Sequence, residues 1–283
     1  MTHPASVIRS ALLFLAMLVL SGPSYADDMK FVPRASLAMV AYDFTQSPRP
    51  NALAPTGINN NEFPEVNFNV TFKMLGVGGT FLMNGYYFDV SYQKSLEEED
   101  TFTLEDPALP GGVFMETFKG DREDYAITFG KKFLDNSLGL YGGYKAGTSQ
   151  ATGNQGQVLS FEEDGFFVGA NYGWRIGDKG VLSINLAYAD LDGDLKEDVN
   201  NPAFASPAVL AVPLDTDATS DAQGLSYGLS WSSRLSDNVG YSIALDAKKY
   251  TFDNVQDVDP STIPSDEFEE EFVGVTASLL YLF

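Results

Sequence analysis

The sequence predicts an all-β fold, a ten-stranded antiparallel up-and-down barrel that spans a membrane, and three observations carry that prediction. Apolar side chains recur at every second position in segment after segment, the connections between segments alternate between short and long, and no stretch after residue 26 is long and apolar enough for a spanning helix. Eight and twelve strands are the neighbouring counts. Among 283 residues, 39 are acidic and 17 basic, a formal charge of −22 that argues against nucleic acid as a partner. Cysteine is absent, which excludes a disulfide framework, a thiolate metal site and a cysteine nucleophile.

At the N-terminus, Arg9 precedes an apolar run from Ala11 to Leu20, followed by Ser24-Tyr25-Ala26, a small-x-small pattern suited to signal peptidase. Ten apolar residues reach only about 15 Å as a helix, half of a bilayer core of about 30 Å. Residues 1–26 therefore read as a signal peptide cleaved near Ala26, and residues 27–283 as a single domain. The one histidine, His3, goes with the signal, so the mature chain has no imidazole.

The first strand, around Arg34 to Phe44, is the least regular. In the second, Val66, Phe68, Val70, Phe72 and Met74 form an apolar face and Glu65, Asn67, Asn69, Thr71 and Lys73 a wet one; the apolar face is expected toward lipid and the wet one toward the lumen. Tyr86, Phe88, Val90 and Tyr92 mark the third strand, and Tyr125, Ile127, Phe129 and Phe133 the fourth. Leu138, Leu140, Tyr144 and Ala146 follow, then Phe166 to Ile176 and Leu182 to Tyr188, each in steps of two. Leu225 to Leu235, Val239 to Leu245 and Val273 to Phe283 complete the set.

Short turns fall at Asn84-Gly85 or the nearby Gly76 to Gly79, at Asp135-Asn136-Ser137, at Gly177 to Gly180 and at Ser236-Asp237-Asn238. Long loops fill 46–62, 95–121, 150–164, 191–222 and 253–270. Five long loops and four short turns place both termini on the short-turn side. Hydrocarbon offers peptide groups no hydrogen-bond partner, so the first strand must pair with the last. Charges on the outward faces, Asp43, Glu123, Lys131, Asp190 and Lys249, all lie near strand ends, where an interface tolerates them. Trp174, Trp231 and Phe133 toward the short turns, with Tyr92, Tyr125 and Tyr144 toward the loops, supply two aromatic girdles.

With these features the chain resembles the outer-membrane β-barrel proteins of Gram-negative bacteria, within the small porin-like barrels, with no subfamily singled out. The terminal Leu279, Tyr281 and Phe283 resemble the signal read by the barrel assembly machinery in that group. The resemblance implies outer-membrane localisation, lipopolysaccharide and membrane lipid as surroundings, and no cofactor. Ten-stranded barrels of this kind include the omptin proteases, which use paired acids and a histidine. The missing histidine disfavours that chemistry and that of the barrel lipid hydrolases, so the chain reads as a non-enzyme. The runs Glu97-Glu98-Glu99-Asp100 and Glu269-Glu270-Glu271 read as solvated loop charge, and Asp190-Leu191-Asp192-Gly193-Asp194 departs from a calcium loop, leaving diffuse divalent cations at acidic loops.

The lumen carries the remaining functional expectation. Asn67, Asn69, Lys73, Asp89, Asp124, Lys132, Tyr141, Lys145, Asn171, Arg175, Asn185, Arg234, Asp246 and Lys248 are the lumen-lining candidates, set among many inward glycines, serines and alanines that leave space. Ten strands lie between the filled barrels of about eight and the open ones of sixteen or more, so residue size decides. Small residues favour a narrow channel or facilitator for small polar solutes. The alternative is a non-conducting barrel serving structure or surface interaction.

Overall fold

In the computed structural model the described residues are 29–46, 49–50, 62–63, 66–96, 98–104, 114–153, 158–178, 180–198, 216–257 and 267–282. The signal segment and Phe283 lie outside them. Ten long strands follow one another: β1 (Met29–Gln46), β2 (Val66–Met83), β3 (Tyr86–Ser95, resumed as Glu98–Leu104), β4 (Phe114–Phe133) and β5 (Leu138–Gly153). β6 (Val158–Arg175), β7 (Val181–Asp198), β8 (Thr216–Arg234), β9 (Val239–Asp257) and β10 (Phe268–Tyr281) complete the ring. Each pairs antiparallel with its sequence neighbours, and β1 pairs with β10 from Arg34 opposite Leu280 to Gln46 opposite Phe268. The sheet has no free edge at the membrane, as hydrocarbon requires.

The short turns fall where their residues allow tight reversal. Asn84 and Gly85 both take positive φ, 51° and 80°, the pairing a two-residue hairpin demands. Leu134, Asp135 and Asn136 are also left-handed. Gly76 to Gly79, the alternative turn, lie inside β2. On the other side the strands run far into the segments expected as loops: β4 starts at Phe114, β6 at Val158, and β7 extends to Asp198. Strands of 14–20 residues exceed the roughly 9–11 needed to cross a bilayer, so the surplus rises beyond the long-loop face.

Outward side chains locate the bilayer. An uninterrupted apolar and aromatic belt runs from Ala35 to Ala41 on β1, Phe166 to Trp174 on β6, Leu182 to Tyr188 on β7, Leu225 to Trp231 on β8 and Val273 to Tyr281 on β10. About nine residues of tilted strand give roughly 20–25 Å, the height of the apolar band of such barrels. Above it the outward positions turn acidic: Glu162 and Asp164, Asp190, Asp192 and Asp194, Asp221, Asp253, Glu269 and Glu271. The two girdles stand at its margins, with Tyr92 tilted against Tyr125 at 4.8 Å on one side and Trp174 edge-on against Tyr172 at 4.9 Å on the other.

Above the belt the faces exchange roles, and this corrects the reading of β2. Val70, Phe72 and Met74 point into the barrel and are buried, while Asn69, Thr71 and Lys73 are exposed on the outer wall; Leu75 and Val77, one residue out of phase, are the lipid-facing positions. Alternation fixes the period but not the face. Beyond the bilayer the outside is water, so the apolar set turns inward.

Candidate functional site

The barrel interior divides into two storeys. In the long-loop half, side chains from opposite walls meet. Phe44 on β1 and Phe161 on β6 are five strands apart in a ring of ten, hence diametrically opposed, yet their ring centroids are 5.4 Å apart. Phe161 packs edge-on against Phe252 of β9 at 4.8 Å, and Phe44 stacks on Phe268 of β10 at 5.8 Å. Phe72, Phe252, Phe268 and Leu195 in this layer are at most 1% exposed.

Beneath the aromatic layer lies a buried polar cluster centred on Arg122 of β4. Its Nη2 donates to Glu163 Oε1 of β6 at 2.7 Å and to Asp124 Oδ1 at 2.8 Å, and its Nη1 donates to Ser149 Oγ of β5. The guanidinium lies 4.4 Å over the Phe272 ring and 5.6 Å from that of Tyr42. Lys145 of β5 donates to the same Glu163 oxygen at 3.0 Å and sits 3.8 Å over Tyr250 of β9. Glu270 of β10 accepts from the Tyr42 hydroxyl at 2.7 Å and has Arg122 Nη1 at 3.7 Å. Six of the ten strands thus place charged or aromatic groups at one point.

The two glutamates are not equivalent. Both stand above the bilayer-spanning belt, their neighbours Glu162, Asp164, Glu269 and Glu271 facing outward into water. Burial pushes Glu163 up, but the Lys145 and Arg122 charges outweigh it and hold its carboxyl well below the usual range. Burial and the charge of Glu163 push Glu270 well above that range, offset only in part by Arg122. Their Oε2 atoms lack a hydrogen-bond partner, while the two side chains lie within hydrogen-bonding reach of each other. One proton held by Glu270 and shared with Glu163 satisfies both oxygens and balances the cluster.

Inward glycines, Gly147 among those expected to leave space, serve as floors for large neighbours. A Cβ on Gly147 would fall 2.6 Å from Arg122 Nη2, one on Gly193 2.7 Å from the Phe252 ring, and one on Gly224 2.1 Å from the Tyr250 ring. In the short-turn half the lining is half-buried: Ser183, Asn185, Ser226, Gly228, Ser230, Ala244, Asp246 and Ser278 line a partly accessible vestibule, in which Tyr87 lies over Gly130 and Tyr141 over Gly169. Arg34 spans its wall, bound through both terminal nitrogens to Asp89, which also accepts from Thr80.

Of the lumen candidates, Asp89, Asp124, Lys132, Tyr141, Lys145, Asn171, Arg175, Asn185, Arg234, Asp246 and Lys248 occupy the inward face, with Asp124 and Lys145 in the sealed storey and the others below it. Asn69 and Lys73 face outward, and the side chain of Asn67 lies outside those described. Leu279 and Tyr281 face lipid, as expected of the terminal strand. The sequence reading missed Arg122, Glu163 and Glu270. Phase betrayed two of them: Glu270 shares its parity with Phe268 and Phe272, and Glu163 with Phe161, so acids in register with inward aromatics are themselves inward. The aspartates of Asp190-Leu191-Asp192-Gly193-Asp194 lie along the outer face of β7. No group of three or more metal-ligating side chains assembles among the described residues.

No protein-family model and no curated protein matches this sequence. Among solved structures, the chain is similar to the outer membrane protease OmpT from Escherichia coli, with a TM-score of 0.60 at 12% identity over 93% of this chain and 99% of that one. Lower likenesses include the translocator domain of the autotransporter NalP from Neisseria meningitidis, TM-score 0.45 at 11% identity over 99% and 98% of the two chains. Another is OprG from Pseudomonas aeruginosa, TM-score 0.38 at 12% identity over 90% and 96%. At 12% identity the likeness to OmpT speaks for architecture alone, and it agrees with the closed ring and its apolar belt: the chain has the fold of the Gram-negative outer-membrane β-barrels.

Proposed function

We propose that this protein is a non-conducting outer-membrane barrel that presents an acidic, strand-built upper wall at the cell surface for interaction. The carrying observation is the contact of Phe44 with Phe161 across the full width of the lumen, within a layer whose members are almost wholly inaccessible. A channel or facilitator for polar solutes needs a continuous hydrated path, and an aromatic layer over an ion-paired cluster gives solutes neither room nor water. This favours the structural or surface-interaction reading over the porin-like one.

A hydrolytic role has less support. OmpT is a protease, but its likeness here is one of fold. The mature chain has no histidine, and the Arg122 cluster of acids and bases lies beneath the aromatic layer. Lipopolysaccharide is the proposed surrounding, with divalent cations between its phosphates and the outward acids. Planar-bilayer recordings of the purified, folded protein test the reading: no stepwise conductance is expected, and discrete openings in the unmodified protein overturn it.

A further inference from the structure

The short-turn half of the lumen carries a charge opposite to that of the protein. On a chain of net charge −22, the inward faces there hold Lys30 of β1, Lys132 of β4, Arg175 of β6, Arg234 of β8 and, under the ceiling, Lys248 of β9. All five are exposed although they point into the barrel, and none makes an ion pair among the described residues. On the inward faces Asp89 is held by Arg34 and Asp246 stands without a cation, while Asp135, Asp178 and Asp237 lie in the exposed turns below the rim and offset part of its charge from outside the lumen. Unpaired like charges inside a low-dielectric wall repel one another and focus a positive potential, which raises the local concentration of a counter-ion about 10- to 1,000-fold.

We propose that this vestibule, a dead end beneath the aromatic layer, is a binding site for a small, multiply charged, phosphate-bearing anion that enters from the short-turn side. The inference rests on the sealed-lumen reading for its ceiling. Spacing sets the ligand class. Ten tilted strands make a ring about 20 Å across, so cations two strands apart, Lys132 with Arg175 and Arg175 with Arg234, are rooted about 12 Å from each other. Their side chains narrow that gap without closing it. A single orthophosphate meets one of them at a time, whereas an elongated anion with several phosphates meets two or three. Arginine at two of the three positions suits phosphate oxygens through paired N–H donors.

Sodium tripolyphosphate is the probe, titrated calorimetrically into folded protein in nanodiscs of phosphatidylcholine at low ionic strength. Saturable binding is expected, at least tenfold tighter than that of orthophosphate. The triple variant Lys132→Gln, Arg175→Gln, Arg234→Gln should weaken it about tenfold or more, and Asp246→Asn should tighten it. Circular dichroism and the heat-dependent gel shift confirm that each variant is folded, and Asp192→Asn on the outer wall should leave affinity unchanged. Absence of binding, or equal affinity in the triple variant, overturns the site. Loss of binding when the nanodisc contains phosphatidylglycerol assigns the rim to lipid headgroups and overturns the soluble ligand, as does a glutamate oligomer that binds where tripolyphosphate does not. Conductance in the unmodified protein alongside rim-dependent binding removes the ceiling and keeps the site, whereas a silent barrel that binds nothing removes the site alone.

Discussion

The two storeys of this barrel are built from the same ten strands by opposite rules. Around the bilayer, apolar side chains face out and the interior is polar and partly accessible: Val273, Val275 and Leu279 on β10 are exposed on the outer face while Gly274 and Ser278 line the vestibule. A few residues higher on the same strand, Phe268 and Phe272 are buried inside with Glu270, and Glu269 and Glu271 face water. The solvent outside changes from hydrocarbon to water along one strand, and the apolar face changes sides with it. The lower storey is held by the membrane and by closure of the sheet. The upper one has no membrane to cover its wall and is held by a packed core of its own.

The largest test of that difference is removal of the upper storey's central cation. Arg122→Ala leaves Glu163 and Glu270 in a sealed site with only Lys145 to answer them, and breaking a buried charge pair from one side costs about 3–5 kcal/mol. Urea unfolding in lipid vesicles, followed by tryptophan fluorescence and the gel shift, should show a midpoint loss of that order. Arg234→Ala in the vestibule, which breaks no ion pair among the described residues, should show almost none. Equal losses would mean that the upper cluster is no more of a core than the rim.

A slightly smaller effect is expected at the aromatic seal. Phe161→Ala removes the ring that touches Phe44, Phe252 and Phe268, and the cavity should cost about 3–4 kcal/mol. Ser230→Ala on the vestibule wall should stay within about 0.5 kcal/mol. The double change Phe44→Ala, Phe161→Ala should also let ion flux appear in liposomes if these rings are the barrier. A variant as tight as the unmodified protein would place the barrier elsewhere in the layer.

Much of this architecture was legible in the sequence: strand count, closure, short turns, girdles and most inward positions follow from a period of two and from what hydrocarbon forbids. The face of β2 was not, because Val70, Phe72 and Met74 alternate as cleanly as any lipid-facing set. The local clue was Met74-Leu75, two adjacent apolar residues where the alternation slips phase, repeated at Phe272-Val273. Each marks the height at which the strand leaves the bilayer. The sealed cluster was harder still, since Arg122, Glu163 and Glu270 are separated in sequence by 41 or more residues and meet only when the sheet closes.

The pH dependence of stability sharpens the contrast further. Glu270 binds its proton more tightly folded than unfolded, so its contribution is full below the usual carboxylate value and declines as pH rises through its raised native value. Glu163 has the opposite sign: its contribution is present above the usual value and is lost as pH falls toward its depressed native one. Stability should therefore fall at both ends, and Glu270→Gln, a fixed neutral group, should abolish the alkaline decline and keep the acid one. Unfolding midpoints between pH 2 and 9 measure this. An alkaline limb that survives in Glu270→Gln would show that the pair does not share its proton.

The smallest effect belongs to the outer wall of the upper storey. Asp164, Asp192, Asp221 and Asp253 stand opposite one another across β6, β7, β8 and β9, a row of like charges in register above the belt. Like charges directly opposite on paired strands destabilise the sheet, by less than about 1 kcal/mol at exposed positions, where solvent screens them. Asp192→Asn, in the middle of the row, should raise the unfolding midpoint slightly at low salt, and the gain should fade as sodium chloride or magnesium is added. In the lower storey the outward positions of the same strands are apolar, so salt has no such row to screen there. A gain that persisted unchanged at high salt would mean that Asp192 weakens the wall through packing, and the row would then cease to explain why the upper wall needs counter-ions.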